Sequence, residues 1–230
     1  MAAAGRGQRA AAFIFDETVG TLRTRARKMQ MPLDAHMEKG LVTVQQVDPA
    51  ELSPGEFVSI VRRAVEGSDR AGKPAKMIMI DSLNGYLHSM AEEKHLGAQL
   101  HELLTFLSQR GVSTLLTVTQ SGMIGAAMHS PIDTTYLADN VILFRYFEAG
   151  GHVRRAISVV KRRSGAHELA IREMRMGAHG IEVGRPLDQF EGILTGVPRF
   201  VGESKDLLAW ESAHSYDGRG GGDDRGAHGH

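Results

Sequence analysis

Short apolar runs bounded by polar residues recur along the first half of the chain, with amphipathic stretches between them. Ala11-Ala12-Phe13-Ile14-Phe15 ends in Asp16-Glu17-Thr18, Leu41-Val42-Thr43-Val44 runs on to Val47-Asp48-Pro49, and Lys76-Met77-Ile78-Met79-Ile80 ends in Asp81. Ser113-Thr114-Leu115-Leu116-Thr117-Val118 is a fourth run of this kind. Runs of this length predict strands buried on both faces. A basic stretch reaching about Met29 predicts a helix after the first strand. Ser53-Pro54-Gly55-Glu56 has the spacing of a capping box with proline at the first helical position, and Phe57, Ile60, Val61 and Val65 then share one side of the helix it opens. Leu96, Leu100, Leu103, Leu104 and Leu107 form a second helical stripe that Gly111 is placed to end. Strands alternating with helices predict an α/β fold, a parallel sheet with helices on its faces.

The second half follows a different pattern. Gln120 to Thr135 is long and rich in small residues, which predicts a functional loop. Asn140–Phe147 and Val153–Lys161 read as strands joined through Glu148-Ala149-Gly150-Gly151, a hairpin signal. A further pair, near Ile171–Met176 and Ile181–Val183, turns through Gly177-Ala178-His179-Gly180. Antiparallel strands therefore follow the parallel sheet. The tail from Ser215 is rich in glycine, aspartate and histidine and reads as disordered; its histidines, with His214, suit solvent better than a fixed metal site.

Composition narrows the function classes. Hydrophobic residues make up 42% and charged residues 23% of the 230, as in a globular protein with one well-formed core. Lysine plus arginine and aspartate plus glutamate both total 27, so zero net charge gives no electrostatic case for nucleic acid or an anionic membrane. The Gln120–Thr135 loop also has no lysine or arginine. The absence of cysteine excludes disulfides, thiolate metal sites and thiol nucleophiles. No apolar run approaches the ~20 residues that span a bilayer. The expectation is a soluble, cytoplasmic protein.

Several residues could carry chemistry, and each has a plainer reading beside it. Asp81 ends an apolar strand, where a carboxylate can hold a magnesium-bound water beside nucleotide phosphates; many buried strands also end in aspartate to start a turn. Asp16 and Glu17 stand at the matching end of the first strand, where a carboxylate could orient and deprotonate an attacking water or simply belong to an acidic loop. Gln120 follows the fourth strand and could sense a γ-phosphate, though a polar residue suits any loop there. Lys161 and Arg163, two apart on a strand-like segment, share a face that could neutralise a transferring phosphoryl group or protect a strand edge. His167 lies just beyond, in a position that also suits surface packing. Gly67-Ser68-Asp69-Arg70-Ala71-Gly72-Lys73-Pro74 approaches the phosphate-loop pattern G-x-x-x-x-G-K-[ST]. It has proline in place of the hydroxyl residue and follows a helix instead of opening one, so it reads as a connector.

In order and spacing these segments resemble the KaiC-like branch of the RecA superfamily, over roughly Ala2 to Gly202. The resemblance is carried by Phe13-Ile14-Phe15-Asp16-Glu17, by Val47 to Phe57, and by Met79-Ile80-Asp81-Ser82-Leu83. It continues through Leu137-Ala138-Asp139, Leu143-Phe144-Arg145-Tyr146, Val160 to His167, and Phe190 to Pro198. It implies a RecA-like P-loop NTPase core over residues 1–202, a tail over 203–230, ATP with Mg2+ as cofactors, and a homo-oligomeric, hexameric ring with nucleotide between subunits. Glu17, assisted by Asp16, matches the catalytic carboxylates, and Asp81 the Walker B aspartate. Lys161 and Arg163 match a K-x-R pair that reaches a neighbour's phosphates, and His167 a nucleotide-contacting position. Gly177-Ala178 stands where the clock member of the family has a polar nucleotide-contacting pair. Met1 to Gln8 resembles the end of the helix that a phosphate loop opens, so the expected core lacks the first strand and Walker A. Three functions follow: an ATP-hydrolysing ring subunit in timing or signalling, a non-catalytic module that lends its cations to a partner ATPase or scaffolds a signalling protein, or a gene fragment.

Overall fold

The computed structural model describes residues 1–48, 50–89, 96–119, 137–177, 180–195 and 197–202. The expected loop from Gln120 and the tail lie outside these residues. A short α1 (Ala2–Gly5) leads into β1 (Ala10–Ile14), α2 (Val19–Lys28), α3 (Leu33–Glu38) and β2 (Val42–Gln46). Next come α4 (Pro54–Glu66), β3 (Met77–Asp81), α5 (Leu83–Ser89), α6 (Leu96–Gln109) and β4 (Ser113–Leu116). The four strands form one parallel sheet in the order β2-β1-β3-β4.

Strand alternation divides that sheet's side chains between two faces. Ala11 and Phe13 of β1 and Ile78 and Ile80 of β3 pack with Phe57, Val61, Leu103 and Leu107 of α4 and α6 in the main core. Val42 and Val44, level with Ala10 and Ala12, pack on the other face with Ala4, Ala26 and Leu33 from α1, α2 and α3. Both faces of the sheet therefore carry helices, as a parallel sheet requires. The start of α4 is held as its sequence predicts. The Ser53 side chain accepts the Glu56 amide at 3.3 Å, Glu56 accepts the Ser53 amide at 2.8 Å, and Pro54 occupies the first turn. Gly67, at φ 74°, ends the helix in the left-handed conformation that glycine adopts without strain.

The second sheet is antiparallel, in the order β5-β6-β7-β8, from β5 (Asn140–Ala149), β6 (His152–Arg162), β7 (Arg172–Gly177) and β8 (Gly180–Pro186). Gly150 and Gly151, both at positive φ, form the two-residue turn between β5 and β6. A small core of Phe147, Ala149, Ala156, Leu187 and Ile193 lies on one face, and the buried pair Arg154–Glu173 closes at 2.9 Å. The short strands β9 (Phe190–Glu191) and β10 (Arg199–Phe200) pair with each other, and Phe190 stacks against both Phe147 and Phe200. This architecture, a helix-flanked parallel sheet followed by antiparallel strands, is that of a RecA-like core.

Candidate functional site

The chain reverses direction across the sheet at β1. It goes from β1 to β2 on one side, then crosses to β3 on the other, so the crevice at the carboxyl ends of β1 and β3 is a topological switch point. Ile14 is level with Asp81 in the β1–β3 register, and the Phe15 amide donates to the Asp81 carbonyl at 2.7 Å. Asp16, Glu17 and Asp81 therefore leave the sheet at the same rim. The sequence placed all three at strand ends; the strand order is what brings them together.

Each aspartate is held by a hydroxyl from a neighbouring segment. Thr117, one residue past β4, donates its hydroxyl to Asp81 Oδ1 at 2.6 Å. Ser82, 3% exposed, donates to Asp16 Oδ2, and its Oγ also accepts the Gly85 amide at 3.3 Å. Gly85 comes so close that a Cβ there would stand 2.5 Å from Phe15 Cβ and 2.6 Å from Asp16 Oδ1. Beneath them Phe13, Phe15, Phe57 and Tyr86 form an aromatic cluster with ring centroids 5.3–5.9 Å apart. Glu17 instead pairs with Arg25 of α2 at 2.6 Å. Asn84 grips the backbone of Thr119 twice, donating to its carbonyl and accepting its amide, both at 2.7 Å. That pair ties α5 to the segment after β4, as far as the residue before Gln120, which itself lies outside the described residues.

The sequence-based reading did not single out Ser82, Gly85, Asn84 or Thr117 as partners. All four sit within four residues of a strand end, but only the contacts across β1, β3 and β4 assign them roles. The cations lie in the second sheet. Lys161 is half-buried on β6, and β6 ends at Arg162, so Arg163 follows the strand. Arg163 pairs with Asp139 at 3.1 Å, and its amide donates to the Asp139 carbonyl at 2.7 Å. His167 is half-buried in the irregular segment between β6 and β7.

Two fits can be judged from these residues. Magnesium binds through one or two carboxylates together with water and phosphate oxygens, and it needs no all-protein cage. Asp81, with one oxygen engaged by Thr117, fits that demand, and among the described residues no group of three or more acidic or histidine side chains gathers as an alternative. The Gly67–Lys73 stretch does not fit a phosphate. Arg9, 3% exposed, reaches into it from the start of β1, pairing with Asp69 and donating to the Lys73 carbonyl and, at 3.2 Å, to the Ala64 carbonyl. The Ser68 and Gly72 amides are spent on Arg63 and Asp69, and the Asp69 carboxylate would repel an anion. The connector reading stands on these contacts.

The model of the KaiC ATPase family matches residues 2–188. The circadian clock protein KaiC3 of Synechocystis is 30% identical over 128 residues, which is 56% of this chain and 25% of that protein. The circadian clock oscillator proteins KaiC of Acaryochloris marina and Synechococcus elongatus are each 25% identical, over 87% and 83% of this chain and 38% and 36% of their own lengths. The chain thus spans between a quarter and two-fifths of these relatives. With the family model covering most of its length and the switch-point carboxylates on a RecA-like sheet, this chain belongs to the KaiC family of ATPase domains.

Proposed function

We propose that this chain is an ATP-binding domain of the KaiC type, built to take part in ATP hydrolysis within a ring of like subunits and serving a regulatory or signalling output. The observation that carries the reading is the convergence of Asp16, Glu17 and Asp81 at the switch point, with Ser82 and Thr117 holding the two aspartates. In this reading residues 1–202 form the ATPase domain and 203–230 a tail. Glu17, assisted by Asp16, acts on the attacking water, and Asp81 aligns the waters of a magnesium ion. Bound Mg2+ supplies charge neutralisation at the phosphates. Gln120 follows the segment clamped by Asn84 and reads the γ-phosphate. Lys161, Arg163 and His167 face the nucleotide of a neighbouring subunit, where fixed cations stabilise developing charge.

A second reading rests on the Arg9–Asp69 closure of the Gly67–Lys73 connector. The described residues then hold the carboxylate side of a site and offer no phosphate cradle, which suits a module that lends Lys161 and Arg163 to a partner ATPase. One set of experiments separates the two. Pure chain is assayed for Mg2+-dependent phosphate release and for binding of a fluorescent ATP analogue; the second reading expects weak or absent binding and no turnover. Clear turnover that disappears in Glu17→Gln would replace the second reading with the first. Stimulation of a complete KaiC-family ATPase by added chain, lost in Arg163→Ala, would establish the second.

A further inference from the structure

The two faces of the second sheet are covered unequally. On one, Phe147, Ala149 and Ala156 pack with Leu187 and Ile193. On the other, Tyr146 and Glu148 of β5 stand level with Arg155 and Val153 of β6, and level residues of paired strands point to the same side. Val153 is 61% and Tyr146 43% exposed, and the open apolar surface continues along β5 through Phe144 and Ile142. A contiguous apolar face of this kind marks an interaction site.

The chain leaves its last described strand close to the hairpin end of that face. Among the described residues β5 is an edge strand of its sheet. Phe200 of β10 stacks on Phe190 with ring centroids 5.0 Å apart, and Phe190 stacks on Phe147 at 5.4 Å. Phe147 follows Tyr146 on β5, so their side chains lie on opposite faces of one edge strand. The Val201 amide donates to the Gln189 carbonyl at 2.8 Å and fixes the exit there. An extended chain from Gly202 reaches Trp210 across about 27 Å, against about 10 Å between packed layers. The reach around the β5 edge is ample.

The segment that follows matches the face in polarity and charge. Leu207-Leu208-Ala209-Trp210 is an apolar run that contains the one tryptophan of the chain, and Glu203, Lys205, Asp206 and Glu211 flank it. Residues 140–186 carry nine lysines and arginines against four acidic residues, an excess that the zero net charge of the whole chain hides. Arg155 is exposed and lies over the Tyr146 ring at 5.6 Å.

We propose that residues 203–211 pass around the β5 edge and dock Leu207, Leu208 and Trp210 on Tyr146 and Val153, with Asp206 and Glu211 beside Arg155. A short tether supplies an effective concentration in the mM range, so a modest apolar contact is enough to hold the segment. The docked run covers the hairpin end of the face and leaves Phe144, Ile142 and the β7–β8 side open. This docking stands apart from the nucleotide reading.

The test uses the full chain, with Trp210 as its only tryptophan reporter. Emission to the blue of free tryptophan and restricted quenching by acrylamide are expected, both independent of protein concentration. Val153→Lys and Leu207→Asp should each abolish the blue shift, and Arg155→Glu or added salt should weaken it. Leu207→Asp leaves the residues of the sheet unchanged, which keeps the test valid if Val153→Lys disturbs folding. Leu169→Lys, at a position 80% exposed outside the sheets, should leave the shift intact. Emission typical of solvent-exposed tryptophan in the unmodified chain overturns the proposal, as does a blue shift that survives Val153→Lys. A shift that appears only as concentration rises and dimers form in sedimentation velocity also overturns it, and assigns the face to a second copy.

Discussion

In the parallel half, Phe13, Ile78 and Ile80 meet Phe57, Val61, Leu103 and Leu107, every one of them at most 2% exposed. In the antiparallel half, Ile142, Phe144, Met176, Ile181 and Val183 are each more than half exposed. Helices lie on both faces of the first sheet, though Leu115 of β4 stays exposed, whereas the second has its small core on one face, completed by the segment around Leu187 to Ile193. The contrast maps onto chemistry. The carboxylates stand at the rim of the well-packed half, where aromatic packing and hydroxyl contacts fix their positions. The candidate cations stand at the end of β6, in the half with less cover. In the proposed reading, rigid placement suits the carboxylates that align water and metal, and an open sheet suits the cations that face a neighbouring subunit.

The widest separation between the halves is expected from matched phenylalanine truncations. Phe57→Ala removes the centre of the aromatic cluster and should cost about 3–5 kcal/mol, read as a lower urea midpoint. Phe144→Ala, at 52% exposure, should stay within about 0.5 kcal/mol; a comparable loss there would mean that its face is covered in solution. Next in size is Gly85→Ala, which drives a methyl into Phe15 and Asp16 and should cost about 1–3 kcal/mol in the same urea titration. If Gly85→Ala is neutral, the close approach that positions Asp16 is not rigid. Ser53→Ala should cost about 1 kcal/mol by removing the α4 cap, with helix content checked by circular dichroism.

The smallest effect is in acid, and it samples both halves. Bonds from the Ser53 backbone and side chain hold the Glu56 carboxyl below its usual range. Hydrogen bonds from Arg27 and then Arg23 do the same for Asp34, and in the second half the Arg172 guanidinium and the Ala170 amide lower Glu168. A carboxyl lowered by folding contributes stability that is present above its unfolded value and lost as pH falls through the folded one. Stability should therefore decline as pH drops below about 4. Arg172→Ala should flatten only the Glu168 part of that decline, measured as urea midpoint against pH. A decline unchanged by Arg172→Ala would show that this exposed pair does not contribute.

Much of the fold was legible because the signals were local. The runs at Phe13, Val42, Ile78 and Leu115 became β1 to β4, Ser53 and Glu56 formed their capping box, and Gly150-Gly151 made the hairpin turn. The short helices α3 and α5 were not anticipated, since seven residues or fewer give too little periodicity to stand out. The segment Lys161–Arg163 reads as one strand face, but β6 stops at Arg162 and Arg163 turns to Asp139, a partner more than twenty positions earlier in the chain.

The sequence by itself determined which residues stand at strand ends, because an apolar run followed by a carboxylate marks both the buried strand and its exit. It also determined the family, through the order of its segments. Only the tertiary structure decided that Ser82 and Thr117 hold Asp16 and Asp81, that Gly85 must lack a side chain, and that Arg9 closes the Gly67–Lys73 connector. Those contacts join residues between 36 and 66 positions apart, or depend on a clearance of a fraction of an ångström. Pattern along one strand cannot encode them, since strand order sets which ends become neighbours.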